Sequence, residues 1–391
     1  MNPNYKYNQR GVSATKDEVH QAIKKLDKGL YPNAFCKILP DLVAFDDDYC
    51  NIMHADTAGT KTSLAYLYWR ETGDLSVWEG IAQDALVMNL DDMACVGCVD
   101  NIILSSTIGR NKNLISGAVI ETLIQATTDF LDLMRDFDIH ITLAGGETAD
   151  VGDIVRTVDV GYTTFARMNR KDLIVNNIQA GDIVVGFSSF GQATYEKSYN
   201  GGMGSNGLTS ARHDVFTKQY AQKYPESFDP NTPESVVYVG SKQVTDTMRI
   251  NDTVIPIGKL VLSPTRTYLP VLKRVLAHFR HAIHGIIHCS GGGQTKVAKF
   301  IEGVEVIKDN FFPITPLFDL IQQEAKTDWR EMYQVFNMGH RLEIYVPEQY
   351  ADEIIDIARS FQVEAQIIGH VRASAKSAVQ LETPYGIFRY D

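Results

Sequence analysis

Apolar positions recur with two different periods along the chain. From Leu114 to Met134, Leu114, Ala118, Val119, Leu123, Ala126, Phe130 and Leu133 fall three to four residues apart, which predicts an amphipathic helix. Residues 78–96 form an apolar run of helix length, and 14–28 read as a short polar helix. Alternation over Val155–Met168 predicts a half-buried strand. Shorter apolar runs predict strands at Cys50–Ala55, Ile139–Ala144, Ile183–Phe187, Ala282–Cys289, 341–346 and 364–371. Further helices fit 208–222, 267–279, 316–325 and 348–361. Helices and strands mix in both halves without regular alternation. That favours an α+β fold of two αβ domains over one doubly wound sheet. The charged, turn-forming stretch Asn169–Asp182 places the boundary, giving domains over 1–178 and 179–391.

Composition narrows the class. Of 391 residues, 44% are hydrophobic and 22% charged, enough for a sizeable core, so a disordered or fibrous chain is excluded. The net charge of −11 argues against nucleic acid or an anionic membrane as partner. It leaves room for a small anionic ligand, and for metal-bridged nucleotides that local carboxylates favour. No apolar stretch approaches the roughly 18–20 residues that span a bilayer. The start, MNPNYKYNQRG, has no apolar signal core, and five cysteines are too few for a disulfide scaffold. A soluble, cytoplasmic protein is expected.

Three segments of the first half gather chemistry. His54-Ala-Asp-Thr-Ala-Gly-Thr-Lys61 follows a strand with a carboxylate, a glycine, a hydroxyl and an ammonium within six residues. Asp56 there suits a hard cation, Gly59 a close backbone approach to an anion, and Lys61 a phosphate; a helix-capping turn with solvated charges is the plainer reading. The order Gly-Thr-Lys, and His at position 54, exclude a Walker A loop. In the helix 78–96, Asp84 and Asp91 lie seven residues apart, about 700° of rotation, and so share a face; Asp92 is about 80° further round. Three carboxylates on one side of an apolar helix repel one another unless a cation, or water, meets them. Gly145-Gly146-Glu147-Thr148 ends a strand where a ligand or a tight turn comes close.

The second half holds two glycine-rich stretches, Gly201–Gly207 and Ser290-Gly291-Gly292-Gly293, each before a helix. Either can aim backbone N–H groups at an anion, and the pair suggests a phosphorylated ligand. Cys95-Val-Gly-Cys98 lacks a second pair, so the thiols are read as core. His278, His281, His284 and His288 straddle a helix-to-strand change and are not expected to share a metal.

Taken together, the segments resemble the phosphoribosylformylglycinamidine cyclo-ligase (aminoimidazole ribonucleotide synthetase) family, in the family's own order. Tyr7–Ser13 is similar to its opening Tyr-Lys-x-x-Gly-Val-Asp, Asp56–Lys61 to its Asp-Gly-Val-Gly-Thr-Lys, and Asp84–Gly97 to its acidic helix. Gly145–Thr148 reproduces Gly-Gly-Glu-Thr, and Ser205-Asn206-Gly207 matches Ser-Asn-Gly. Ser263–Tyr268 resembles Ala-Pro-Thr-Arg-Ile-Tyr, His284–Gly293 resembles His-x-x-x-His-x-Thr-Gly-Gly-Gly, and Met332–Gly339 resembles Met-Tyr-x-x-Phe-Asn-x-Gly.

The resemblance implies ATP-dependent closure of formylglycinamidine ribonucleotide to aminoimidazole ribonucleotide, with release of ADP and phosphate, in purine biosynthesis. It implies an N-terminal αβ domain that dimerises through its sheet, hence a homodimer, and a C-terminal αβ sandwich domain. On it, Asp56, Asp92 and Glu147 hold Mg²⁺, and these three with Lys61 form the catalytic set. Asp56, Gly59, Thr60, Lys61, Asp84, Asp92, Gly145, Gly146 and Thr148 bind ATP, Lys61 touching a phosphate directly. Ser205, Asn206, Gly207, Gly291, Gly292, Gly293 and Asn337 hold the nucleotide substrate. Three departures stand out. Gly29–Phe35 replaces the family's glycine-rich flap, Gly204 replaces a histidine, and 190–202 and 225–258 are long. The alternatives are another ATP-dependent enzyme of the superfamily and a non-catalytic nucleotide-binding homologue. Against the first, no cysteine with glycine and lysine surroundings lies near the start, and the end, Phe388-Arg-Tyr-Asp391, has none.

Overall fold

Alternation marks the central strands of the first sheet. The structure, a computed structural model, describes residues 6–13 and 17–390. Strands β1 (Ile38–Pro40), β2 (Tyr49–Thr57), β3 (Ile102–Arg110), β4 (Ile141–Asp150) and β5 (Val158–Asn169) pair in the order β1-β2-β5-β3-β4. Only β3 and β4 run parallel, and the helix Gly117–Arg135 lies between them in sequence, as a parallel crossover requires. Val158, Val160, Tyr162, Thr164 and Ala166 are buried beneath that helix and the helix Val77–Ala94. The odd positions look outward, and on neighbouring strands Met53 is 60% and Ile103 47% exposed.

The second sheet contains β6 (Asp182–Ser188), β9 (Gly285–His288), β10 (Val304–Lys308), β11 (His340–Pro347), β12 (Ala365–Ala373), β13 (Ala378–Thr383) and β14 (Gly386–Tyr390). Its order is β14-β13-β10-β12-β6-β11-β9, while β7 (Thr247–Ile250) and β8 (Thr253–Pro256) form a separate hairpin. In β11 every residue from His340 to Val346 is buried, a continuous run of the kind a strand covered on both faces needs. Two αβ domains therefore share the chain, as an α+β fold requires. The first sheet ends at Asn169 and the second begins at Asp182.

Some elements depart from their sequence pattern. The strand expected to stop at Ala144 runs on through Gly145 and Gly146 to Asp150, with a bulge opposite Leu104 and Ser106. The helix expected over 208–222 breaks into Leu208–Val215 and Gln219–Lys223. Phe216 and Thr217 leave it to bridge Lys242 and Gly240, so tertiary pairing overrides local propensity. The polar helix expected over 14–28 spans Asp17–Ile23, and residues 14–16 lie outside the described ones.

One buried ring makes the fold sensitive to acid. His213 is 1% exposed, and its Nδ1 accepts the Tyr238 N–H at 3.2 Å. Burial, then the charges of Arg212, Arg10 and Lys218, push its pKa far down, so it is neutral when folded. The unfolded chain takes up that proton below about pH 6.5, so stability falls with pH there, by about 1.4 kcal/mol per unit. His213→Asn keeps an acceptor, and urea unfolding between pH 6.5 and 4.5 is expected to show a shallower slope by one proton. An unchanged slope would refute this.

Candidate active site

The helix Lys61–Thr72 starts straight after β2 and the turn Ala58–Thr60, which throws Lys61 inward rather than toward solvent. Its ammonium is fully buried, 2.8 Å from Asp84 Oδ1 and 2.5 Å from the Ser263 carbonyl. Thr265 adds its amide at 2.7 Å and its hydroxyl at 2.5 Å to the same carboxylate oxygen. Burial pushes the Asp84 carboxyl up and the Lys61 ammonium down, each opposed by the other's charge. Lys61, expected to touch a phosphate, stands here as the counter-charge of the wholly buried Asp84. Asp84, expected at the nucleotide, is buried in the same contact.

Asp91 completes the stripe. It shares Asp84's face, as the helical arithmetic requires, and that face is turned to the segment 263–268 of the second half. The Thr267 hydroxyl reaches Asp91 Oδ1 at 2.8 Å, the Tyr268 amide reaches Oδ2 at 3.1 Å, and Arg341 stands 3.8 Å away. Hydroxyls, amides and cationic side chains therefore meet these two carboxylates.

Asp92 is placed differently, at the junction of the two halves. Its Oδ1 accepts from His288 Nδ1 at 2.6 Å, and its Oδ2 lies 3.4 Å from His54 Nε2. Arg341 Nε donates to His288 Nε2 at 3.0 Å, which leaves the His288 proton on Nδ1, aimed at Asp92. Asn89 spends its amide protons on the Asp56 and Ala85 carbonyls, so its Oδ1 faces His54 Nδ1 at 3.1 Å. His54 Nδ1 therefore carries a proton toward Asn89 while Nε2 is turned to Asp92, as inferred from this network. Burial opposes charge on the ring, but Asp92, Asn89 and Asp56 outweigh it and raise the His54 pKa. For Asp92, burial is likewise outweighed by His288 and His54, which hold the carboxyl well below its usual range.

The expected magnesium ligands do not come together. Asp56 pairs with Tyr162, Tyr162 with Ser106 and Ser106 with Gly146, whereas Glu147 stands in the next row, with Thr107, Gly161 and Thr57. Asp56 thus belongs to the helix-covered face and Glu147 to the opposite one, three strands or about 14 Å apart. Both oxygens of Asp92 already face histidines. Within one chain, Asp56, Asp92 and Glu147 do not form one cation site, a correction that follows from β4 continuing as an edge strand. Gly145, Gly146 and Thr148 are exposed on that edge. Gly59 and Thr60 sit at the other place, where the Thr60 hydroxyl meets that of Thr209 at 2.7 Å.

The glycine stretches of the second half converge. Asn206 Nδ2 lies beside Gly291, and Gly204 lies beside Arg341 and Asn337. Gly207 (φ 81°) begins the helix Leu208–Val215 hard against the Phe336 ring, and Gly293 (φ 50°) sits against the Tyr333 and Phe336 carbonyls. A side chain at either position meets both a clash and an unfavourable φ. Asn337 is occupied with holding loops: it accepts from Ser189 and Gly339 at 2.9 Å and donates to the Gly202 carbonyl at 2.9 Å. The Ser205 hydroxyl is buried without a hydrogen-bond partner.

All five cysteines are buried and free, in agreement with the core reading of Cys95 and Cys98. His278 and His281 are exposed while His284 turns to Asp182 and His288 to Asp92, so the four histidines share no site. Cys289, His340 and Glu343 lie close together, but the Lys308 ammonium and Tyr345 hydroxyl already satisfy Glu343. Sequence reasoning missed His54 and Arg341. The only signal for His54 was its place two residues before Asp56, on the same strand face.

Two family models match the chain, "AIR synthase related protein, N-terminal domain" over residues 38–168 and "AIR synthase related protein, C-terminal domain" over 179–382. A curated relative from Methanocaldococcus jannaschii, named phosphoribosylformylglycinamidine cyclo-ligase, is 24% identical over 325 residues, 83% of this chain and 79% of the relative. Among solved structures, PurL of T. maritima complexed with FGAR matches with a TM-score of 0.54 at 13% identity, over 96% of this chain and 49% of that one. This chain therefore spans about half of that protein's length. Thiamine monophosphate kinase from Aquifex aeolicus matches with a TM-score of 0.54 at 9% identity, over 96% and 98% of the two chains.

Proposed function

The chain belongs to the AIR synthase related protein family across both of its halves, and from that premise we propose that it converts formylglycinamidine ribonucleotide and ATP to aminoimidazole ribonucleotide, ADP and phosphate. It is an enzyme of the C–N bond-forming cyclo-ligase class, like its named relative. In this reading the first half, 1–178, binds ATP and dimerises, and the second, 179–391, holds the substrate phosphate. The observation that carries it is the junction itself, where His54, Asp92, His288 and Arg341 of both halves link up beside the paired glycine loops. ATP use draws support from the T. maritima structural relative, which is also solved with ADP.

An amide oxygen leaves poorly, so its transfer to phosphate makes the formyl carbon open to attack by the amidine nitrogen. Such a step needs positioning and neutralisation of spreading charge more than covalent help. Arg341 supplies positive charge at the junction, beside the His54 ring whose pKa Asp92 raises, and the glycine-loop amides suit the substrate phosphate. Magnesium belongs to this reading through the family likeness. Because Asp56, Asp92 and Glu147 are separated, no step is assigned to it.

The decisive assay supplies the amidine nucleotide with Mg²⁺-ATP and looks for aminoimidazole ribonucleotide by its coupled dye colour and for ADP. ATP binding without product would instead favour a regulatory homologue. Dimerisation is the second part of the proposal, supported by Met53 and Ile103 on the uncovered sheet face. Light scattering on the Met53→Glu/Ile103→Glu variant is expected to report half the wild-type mass; an unchanged mass would place the interface elsewhere. Among the described residues no helix is long and apolar enough to cross a membrane. A cytoplasmic location is part of the same reading.

A further inference from the structure

The segment 263–268 is gripped from both sides. From the first half, Lys61 takes the Ser263 carbonyl, Asp84 takes Thr265, and Asp91 takes Thr267 and Tyr268. From the other side it meets the long stretch that follows β6, where the amide and carbonyl of Gly191 pair with those of Asn200 and close a ring of chain. The Tyr195 hydroxyl donates to the Thr267 carbonyl at 2.8 Å, and Asn200 Nδ2 donates to the Pro264 carbonyl at 2.8 Å. Glu196 lies inside this ring. It holds the fully buried Arg266 guanidinium through both oxygens, at 2.9 and 2.5 Å.

Glu196 also faces the glycine loop. Its Oε1 accepts from Asn200 Nδ2 at 3.0 Å, and Asn200 Oδ1 in turn accepts the Gly202 N–H at 2.9 Å. Gly202 passes its carbonyl to Asn337, next to the second glycine stretch. One carboxylate thus fixes both the gripped segment and the start of the Gly201–Gly207 loop. Both Glu196 oxygens are spent on Arg266 and Asn200, and the Arg266 carbonyl in turn accepts from Arg341 of the junction, so the part of this carboxylate is geometric.

We propose that Glu196 is a positioning residue that sets the glycine loop for the amidine nucleotide, through Asn200 and Arg266, without touching either substrate. This rests on the cyclo-ligase reading above. An amide in its place keeps the size but turns an N–H₂ group toward a guanidinium, so the bidentate grip is lost. Because Lys61, Asp84 and Asp91 still hold the far side of 263–268, the disturbance falls on the glycine loop rather than on the ATP side.

The test is steady-state kinetics on Glu196→Gln and Glu196→Asp, with each substrate varied in turn and melting followed in parallel. Glu196→Gln is expected to raise KM for the amidine nucleotide about tenfold with KM for ATP within twofold, and Glu196→Asp to recover part of the loss. Equal shifts in both KM values, or none, would overturn the role, since a merely structural residue moves them together with melting. If Glu196→Gln does not fold, Tyr195→Phe removes only the hydroxyl on Thr267. It is expected to raise the same KM by about threefold, and an unchanged value overturns the proposal. A wild-type chain without turnover would overturn the cyclo-ligase reading and this role with it; normal wild-type turnover with an unselective Glu196→Gln overturns this role alone.

Discussion

Lys61→Met is expected to lower the unfolding free energy by about 3–5 kcal/mol, because it strips the wholly buried Asp84 of its counter-ion. Of the two Asp84 oxygens, Oδ2 lacks a hydrogen-bond partner, and Oδ1 keeps only the uncharged Thr265 donors once the ammonium is gone. The companion variant is Lys61→Met/Asp84→Leu, which removes both charges at similar volume. Replacing a whole buried pair with apolar groups is often neutral, so urea unfolding of the double variant is expected to return most of the lost stability. ATP binding by the double variant then separates two roles. A latch between halves predicts that binding survives once the fold is restored. Loss of ATP affinity in a stable double variant would reinstate Lys61 as a phosphate ligand.

Asp92→Asn is expected to cut kcat by about a hundredfold or more with a much smaller effect on melting. Each carboxylate oxygen faces a ring, Oδ1 accepting from His288 and Oδ2 lying 3.4 Å from His54 Nε2. An amide offers only one acceptor, so one of the two rings is faced by an N–H₂ group and must turn or give up its proton. Displacement of a reacting or orienting group by even 1 Å can cost about a hundredfold in rate. Asp91→Asn is the contrast, since its partners Thr267 and Tyr268 belong to a structural contact and the effect should fall on melting. Turnover by Asp92→Asn within twofold of wild type would remove Asp92 from the catalytic set.

Much of this architecture was legible before any coordinates. The even–odd pattern of Val155–Met168 became β5, and the helical period of Leu114–Met134 became the helix Gly117–Arg135. The angular argument for Asp84 and Asp91 held because an α-helix fixes it locally. What met those carboxylates was not legible, because the partners come from about 180 residues downstream and no local pattern reports a contact of that range. The same limit hid the separation of Asp56 from Glu147. A side chain's face on β4 depends on strand register, and the bulge beside Gly145 resets it. The glycine stretches came closest to expectation, since Gly207 and Gly293 need both positive φ and close packing.

The grip of Asp84 and Asp91 on residues 263–268 also bears on how such a chain can change over time. A helix with two buried carboxylates is inherited together with the threonines and amides that receive them, or it is a liability. Exchange of either half for that of a distant homologue would bring in a lattice of donors and acceptors out of step with its mate. Separate expression of residues 1–178 would leave Lys61, Asp84 and Asp91 facing water where Ser263, Thr265 and Thr267 should be. The two domains are thus joined as lock and keeper. They can diverge in loops and surface, but at this seam they must vary as a pair.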